Sequence, residues 1–225
     1  MKNIVFLSSG QGGNLKFIAT AAARGWLANV SVGAVISDRE CGANAFARDL
    51  GLATSVESFR AEDQDELIAG LEQAAPDIIV TNVHKIVRSR VLDAFADQFL
   101  NLHYSILPAF AGSIGVKTVT DALAFGSQFV GATAHHVTED VDAGRPIVQS
   151  AIPVAESDTI ASLMDVVFRA GCLTLFYAIE RILGSDDLAV GPVIVPLKGK
   201  PVLINPASST ALPFEDEELW RLIAT

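Results

Sequence analysis

A chain of 225 residues, half of them hydrophobic and with a mean hydropathy of +0.39, can bury a substantial core and falls outside the disordered class. Its 26 acidic against 16 basic side chains give a formal charge of −10, which repels nucleic acid and anionic membrane surfaces in bulk, so an anionic ligand must be held by local donors. Cys41 and Cys172 lie far apart, with no C-x-x-C pair and no histidine at ligand spacing, which reads most simply as two ordinary thiols in a reducing compartment, with a disulfide between them as the alternative, and gives no metal centre. The apolar run Ile4 to Leu7 is too short for a signal peptide, and Asp165, Arg169 and Glu180 interrupt the longest apolar stretch, so the expectation is a soluble, cytoplasmic protein without a membrane span.

Lys2 to Ser9 is a short apolar run that leads into Gly10-Gln-Gly-Gly-Asn-Leu15, after which Leu15, Ile18, Ala19 and Ala22 recur at helical spacing. Strand, glycine turn and helix open a parallel α/β unit. The pattern continues with a strand over Val30–Ser37, a helix near Ala43–Leu50, a short strand at Ala53–Glu57 and an acidic helix from about Ala61 to Ala75. A buried strand at Ile78–Thr81, a helix near Ser89–Ala96 and the run Phe99-Leu-Asn-Leu-His-Tyr-Ser105 follow. After Pro108 come a loop, a helix over Val116–Phe125, and two strands, Val130–Val137 and Pro146–Val154, joined by the acidic segment 138–145. A long amphipathic helix spans Thr159–Leu183, then a hairpin over Gly191–Leu203 turns at Lys198-Gly-Lys200, and a terminal helix covers Glu215–Ala224. The fold class predicted is α/β, with a Rossmann-like, mostly parallel sheet and mixed C-terminal strands. Residues 1–184 form the main domain, and residues 185–225 an extension packed on it.

Asn101, His103 and Ser105 alternate, so on a strand they share one face. An amide that can donate to an oxyanion, an imidazole, and a carboxylate returned by the acidic loop, Asp142, are the parts needed for acyl transfer without a covalent intermediate. A solvated turn is the bland account of Glu139, Asp140 and Asp142, and an edge strand facing water the bland account of Asn101 and His103. His135 and His136 alternate across a strand, so at most one faces a site; His84 is either a site residue or a partly buried structural histidine. Gly10-x-Gly12 ahead of a helix suggests an anion cradle of backbone N–H groups, with Asn14 as a side-chain donor, although the glycines also serve simply to make the turn. The dinucleotide fingerprint needs a third glycine where Leu15 stands, which makes Asp38 as a ribose ligand the minority reading. No G-x-S-x-G elbow or H-E-x-x-H zinc motif is present.

The residues Asn101-Leu-His103, Ser105-Ile-Leu-Pro108 and Asp142-Ala-Gly144 resemble the family of formyltransferases that use 10-formyltetrahydrofolate, over roughly residues 2–184. That resemblance implies Asn101, His103 and Asp142 as catalytic residues, with 10-formyltetrahydrofolate as co-substrate and a small-molecule amine as acceptor. Ser9-Gly-Gln-Gly-Gly-Asn-Leu15 is similar to the phosphate loop of the branch that formylates glycinamide ribonucleotide in purine biosynthesis. It implies Gly12, Gly13 and Asn14 as phosphate contacts, Lys85, Ile86 and Val87 along the pterin pocket, and Asp140 and Val141 in a folate-binding loop. A monomer or homodimer is expected, without nucleic-acid or membrane partners. The chain departs from the family at Thr81–Ile86, at Tyr104, at Ser113–Lys117, and near Arg169–Gly171, where a ribose-binding glutamate is expected. These departures lie on the acceptor side and leave an amino sugar or another phosphorylated amine as the alternative acceptor. The rival classes are a nicotinamide-dependent oxidoreductase using Gly10, Gly12 and Asp38, and a non-catalytic folate- or nucleotide-binding protein.

Overall fold

Alternation of buried strands with amphipathic helices produces the expected α/β pattern. The computed structural model describes all residues except 61–63, 185–189, 209, 211 and 225. Strands β1 (Lys2–Ser8), β2 (Val30–Ser37), β3 (Ala53–Val56), β4 (Ile78–Asn82) and β5 (Phe99–His103) alternate with helices α1 (Gly13–Ala23), α2 (Gly42–Asp49), α3 (Gln64–Ala74) and α4 (Ser89–Ala94). The strands pair in parallel in the order β3-β2-β1-β4-β5. The order reverses at β1, the kind of switch point where the carboxyl ends of open α/β sheets bind ligands. Val5, Leu7, Ile36, Leu67, Leu71 and Ile79 are the centre of a buried apolar cluster on one face. Burying side chains of this size stabilises by about 1.5–3 kcal/mol each before the entropy of ordering is counted.

Two compact units divide within β5: Met1–Asn101 with Val137–Glu139 and Leu222–Thr225, and Leu102–His136 with Asp140–Arg221. The second unit contains α5 (Val116–Phe125), β6 (Phe129–His136), β7 (Pro146–Pro153), α6 (Ile160–Leu183), β8 (Val190–Leu197) and β9 (Lys200–Ser208), with α7 (Glu217–Ala224) following. Here the strands pair antiparallel, in the order β6-β7-β9-β8. The chain is thus α/β, mostly parallel through β5 and antiparallel after it.

Helix α6 is long and apolar enough, by length and composition, to cross a membrane, so its charges alone do not disqualify it. Its burial does: Leu163, Val167, Leu175, Phe176 and Ile179 are enclosed, and the helix packs on β6, β7 and β9 as a core element. The one cation in its middle, Arg169, is neutralised by Asp165 and by a two-pronged pair with Glu217 of α7, and its guanidinium stacks on Trp220.

Two elements differ from the sequence expectation. Strand β5 ends at His103, so Ser105 lies beyond it and does not share its face; the Ser105 hydroxyl donates instead to the Ala109 carbonyl at 2.5 Å. The terminal hairpin runs on to Ser208, past the expected end at Leu203, because β9 also pairs with β7 through Gln149↔Asn205 and Ala151↔Leu203. Pro206 lies inside β9, a place where proline ordinarily argues against a central strand. Helix α3 is seen from Gln64, and its expected start at 61 lies outside the described residues.

Candidate active site

Each candidate residue is placed by local chemistry that the chain dictates. In the first unit, Asn101 occupies β5 opposite Thr81 of β4. The Thr81 hydroxyl lies 2.9 Å from Asn101 Oδ1 and 3.3 Å from the Leu100 carbonyl, so its single hydrogen goes to the amide oxygen. That contact fixes which way the amide points, with its N–H₂ side as the donor end.

In the second unit, His103 follows two residues further along the same strand and is buried. Its Nε2–H donates to the Phe110 carbonyl at 3.1 Å, while Nδ1 lies 3.2 Å from Asp142 Oδ2. The other carboxylate oxygen, Oδ1, lies 3.6 Å from Nε2 of His135, whose Nδ1–H donates to the His136 carbonyl at 2.8 Å. The Gly112 N–H donates to Asp142 Oδ2 at 2.8 Å. Of the histidine pair on β6, His135 is therefore the one that faces a site.

The loop carrying Asp142 approaches β6 so closely that a Cβ on Gly144 would sit 1.6 Å from the His136 carbonyl oxygen. This is the physical content of an Asp-x-Gly sequence here: only glycine lets the turn lie flat against the strand and put the carboxylate between two imidazoles. Asp142 itself sits in the left-handed region, φ 56, which aspartate tolerates better than most residues. The opposing loop is pinned from below. Thr133 Oγ1 donates to the Ser105 carbonyl and accepts from the Leu107 N–H, and Gln149 Nε2 donates to the Leu107 carbonyl.

Electrostatics follow from these contacts. Burial raises the Asp142 pKa, but the His135 imidazole, the Gly112 N–H and the His103 charge outweigh it and hold the carboxyl below its ordinary range. Burial pushes His103 below its ordinary value, against the opposing pull of Asp142 and of the Phe110 carbonyl. A neutral His103 has one ring proton for two acceptors, Phe110 O and Asp142 Oδ2. Gaining a second proton would complete a hydrogen bond at each nitrogen, so the pair has a ready place for a proton released nearby.

The remaining candidates distribute as follows. Gly12 caps α1 in the left-handed conformation, φ 75, with no side-chain hydrogen bond at that helix start; Gly13 is its first residue, and Asn14 is buried in its first turn. The loop rests on α2, since a Cβ on Gly12 would lie 3.0 Å from the Ala43 Cβ. Lys85 and Ile86 are exposed, and Val87 is buried in the core of the first unit. That segment is clamped by Gln64, whose Nε2 donates to the Ile86 carbonyl at 3.0 Å and whose Oε1 accepts from the Arg88 N–H at 2.9 Å. Asp140 and Val141 are exposed on the second unit. The Asp38 side chain is only 5% exposed, and its Oδ1 is enclosed without a hydrogen-bond partner, which offers little surface to a ribose. Lys117 is paired with Asp121 at 2.6 Å. Thr81, Gln64, Phe110 and Gly112 were not singled out by sequence reasoning for these roles; three of the four act through the backbone or on it, and a carbonyl or amide carries no side-chain signature.

The fold and this centre define an α/β protein with a buried His–Asp–His acid–base cluster. The chain belongs to the formyl transferase family, whose model, described as "Formyl transferase", matches residues 2–178. It is 34% identical over 168 residues to phosphoribosylglycinamide formyltransferase of Escherichia coli, covering 70% of this chain and 76% of that protein. It is 30% identical over 171 residues to the chloroplastic phosphoribosylglycinamide formyltransferase of Vigna unguiculata, covering 72% of this chain. The chain spans about half the length of that plant relative, 54%. Among solved structures, glycinamide ribonucleotide transformylase 1 from Symbiobacterium toebii superposes with a TM-score of 0.73 at 32% identity, covering 80% of this chain and 86% of that one.

Proposed function

We propose that this chain transfers a formyl group from 10-formyltetrahydrofolate to a primary amine, and that the amine is glycinamide ribonucleotide. The observation that carries the reading is the carboxylate of Asp142 held between two imidazoles, on the strand register that puts His103 two residues after Asn101. The names of the relatives in Escherichia coli and Vigna unguiculata support the acceptor.

In this reading the amine nitrogen attacks the formyl carbon, and the carbonyl π electrons move to oxygen. Asn101, its amide oriented by Thr81, donates to the resulting oxyanion; removal of one such donor typically costs about 2.7–4 kcal/mol of barrier. His103 Nε2–H leaves Phe110 O to become the second donor. The proton lost by the amine enters the His103–Asp142 pair directly or through water, and a proton returns to N10 of the folate as the C–N bond breaks. The α1 N-terminus, capped by Gly12 without a side chain, is the anchor for the acceptor phosphate, with Gly13 and Asn14 beside it. Lys85, Ile86, Val87, Asp140 and Val141 are assigned to the folate. Residues 185–225 are proposed to be part of the same domain.

Asn101→Ala and Asp142→Asn test the assignment. Each should abolish most turnover while the fold and the dissociation constant for a reduced folate are retained. Near-normal turnover in either folded variant would overturn it.

A further inference from the structure

Beside the acid–base cluster, and lined by none of its members, lies a partly open cavity of about 190 Å³ in the second unit. Its walls are Ile106, Phe110, Val119, Ala122, Phe129 and Val130, with Tyr104 and Ser105 at one side. The lining is mostly apolar, with Ser105, Thr118 and Ser127 among it, and Phe129 is 56% exposed; outside the lining, Phe125, 82% exposed, meets Phe110 edge to face with ring centres 6.2 Å apart. An apolar cavity of about 150 Å³ is enough to hold a benzene ring, and edge-to-face partners add to such binding.

Phe110 connects this cavity to His103. Its ring forms a wall, and its carbonyl accepts the Nε2–H of His103. Its backbone has φ 58, a left-handed conformation that a bulky residue holds only against strain. Leaving φ 58 would release that strain, and because the ring and the carbonyl belong to one residue, any such change would move both.

We propose that the cavity is a binding site for a small, neutral aromatic molecule of one ring, and that its occupancy locks Phe110 onto His103. The reasoning is linkage. A ligand that fits the cavity as it stands stabilises the conformation that has it, and in that conformation Nε2 is engaged by the Phe110 carbonyl. The opened conformation, with Nε2 released, is depleted by the factor 1 + [L]/Kd. A neutral ring suits the site because the walls offer no formal charge to pair with an ionic group. The proposal does not depend on formyl transfer, since its readout is His103 itself.

The test uses the full chain with toluene as probe, followed by NMR. Toluene should bind saturably, shifting the resonances of Val119, Ala122 and Phe129, and at ten times its Kd it should slow solvent exchange of the His103 Nε2–H about tenfold. Ala122→Leu, which fills the cavity, should abolish binding and give slow exchange without ligand. Phe129→Ser, at a half-exposed position that threatens the fold less, should weaken binding and lose the slowing at the same toluene concentration. Absence of saturable binding overturns the site, and binding that leaves Nε2–H exchange unchanged overturns the lock. Binding of a phenylalanine-bearing peptide but not of toluene overturns the choice of occupant.

Discussion

Thr81→Val isolates the orientation of the Asn101 amide. The substitution keeps the β-branched shape and the backbone pairing of β4 with β5, and removes only the hydroxyl that lies 2.9 Å from Asn101 Oδ1. A neutral hydrogen bond contributes about 0.5–1.5 kcal/mol net, and about 1 kcal/mol is roughly a fivefold change in rate. With that restraint gone the amide spends part of its time flipped, offering an oxygen where the oxyanion needs a donor. The expected result is a fall in kcat of about three- to tenfold, against about 10²–10³ for removing the donor in Asn101→Ala. KM for the folate should stay within about twofold, because the lost interaction acts in the transition state. Steady-state production of tetrahydrofolate, with a thermal melt to verify folding, measures both constants. An unchanged kcat would refute the orientation argument, and a loss as large as that of Asn101→Ala would show that Thr81 does more than orient.

Gly144→Ala forces the 142–144 turn away from the His136 carbonyl, and should cost about 1–3 kcal/mol in stability. Misplacing Asp142 by about 1 Å should lower kcat by about 10²-fold; wild-type kcat would show that the turn does not set the geometry. Gly12→Asp is a poor probe of the phosphate cradle, since its φ of 75 and its contact with Ala43 would strain the backbone. Gly10 has open space around its Cα and an ordinary φ, so Gly10→Asp should raise KM for a phosphorylated amine at least tenfold, through like-charge repulsion, while the melting temperature and the KM of an unphosphorylated amine are unchanged. Asp142 and His103 both titrate lower in the fold than in the unfolded chain, so the unfolded chain binds more protons at acid pH. Their contribution to stability is therefore complete above the unfolded values and lost as pH falls through the folded ones. Melting temperatures measured from about pH 8 to about pH 5, where His103 titrates and Asp142 stays ionised, should fall less steeply in His103→Asn than in wild type.

Elements with a strong period were legible in the sequence. The parallel strands β1, β2 and β4 read as apolar runs because both their faces are covered, and α6 read as an amphipathic helix although every residue from Arg169 to Ile179 is buried. The spacing of Asn101, His103 and Asp142 suggested acid–base chemistry, and the structure brings His103 and Asp142 within 3.2 Å. What the sequence withheld is backbone chemistry. The Phe110 carbonyl and the Gly112 amide would do the same work under many side chains, so neither leaves a mark in the residue types. Thr81 looked like one more β-branched strand residue, and its second role emerges only when β4 and β5 are set in register. The hairpin runs past Leu203 because pairing on both sides of β9 carries the strand through Pro206.

Transfer of a formyl group from folate to an amine is measured by following the group itself. 10-Formyltetrahydrofolate labelled in the formyl carbon is incubated with the purified chain and, separately, with glycinamide ribonucleotide, a phosphorylated amino sugar and an unphosphorylated amine, and the products are read by mass spectrometry. The label should appear on the amino group of glycinamide ribonucleotide with stoichiometric release of tetrahydrofolate, and no label should be lost in the absence of an amine. Release of labelled formate without an amine, or failure of every amine to take the label, would contradict that transfer.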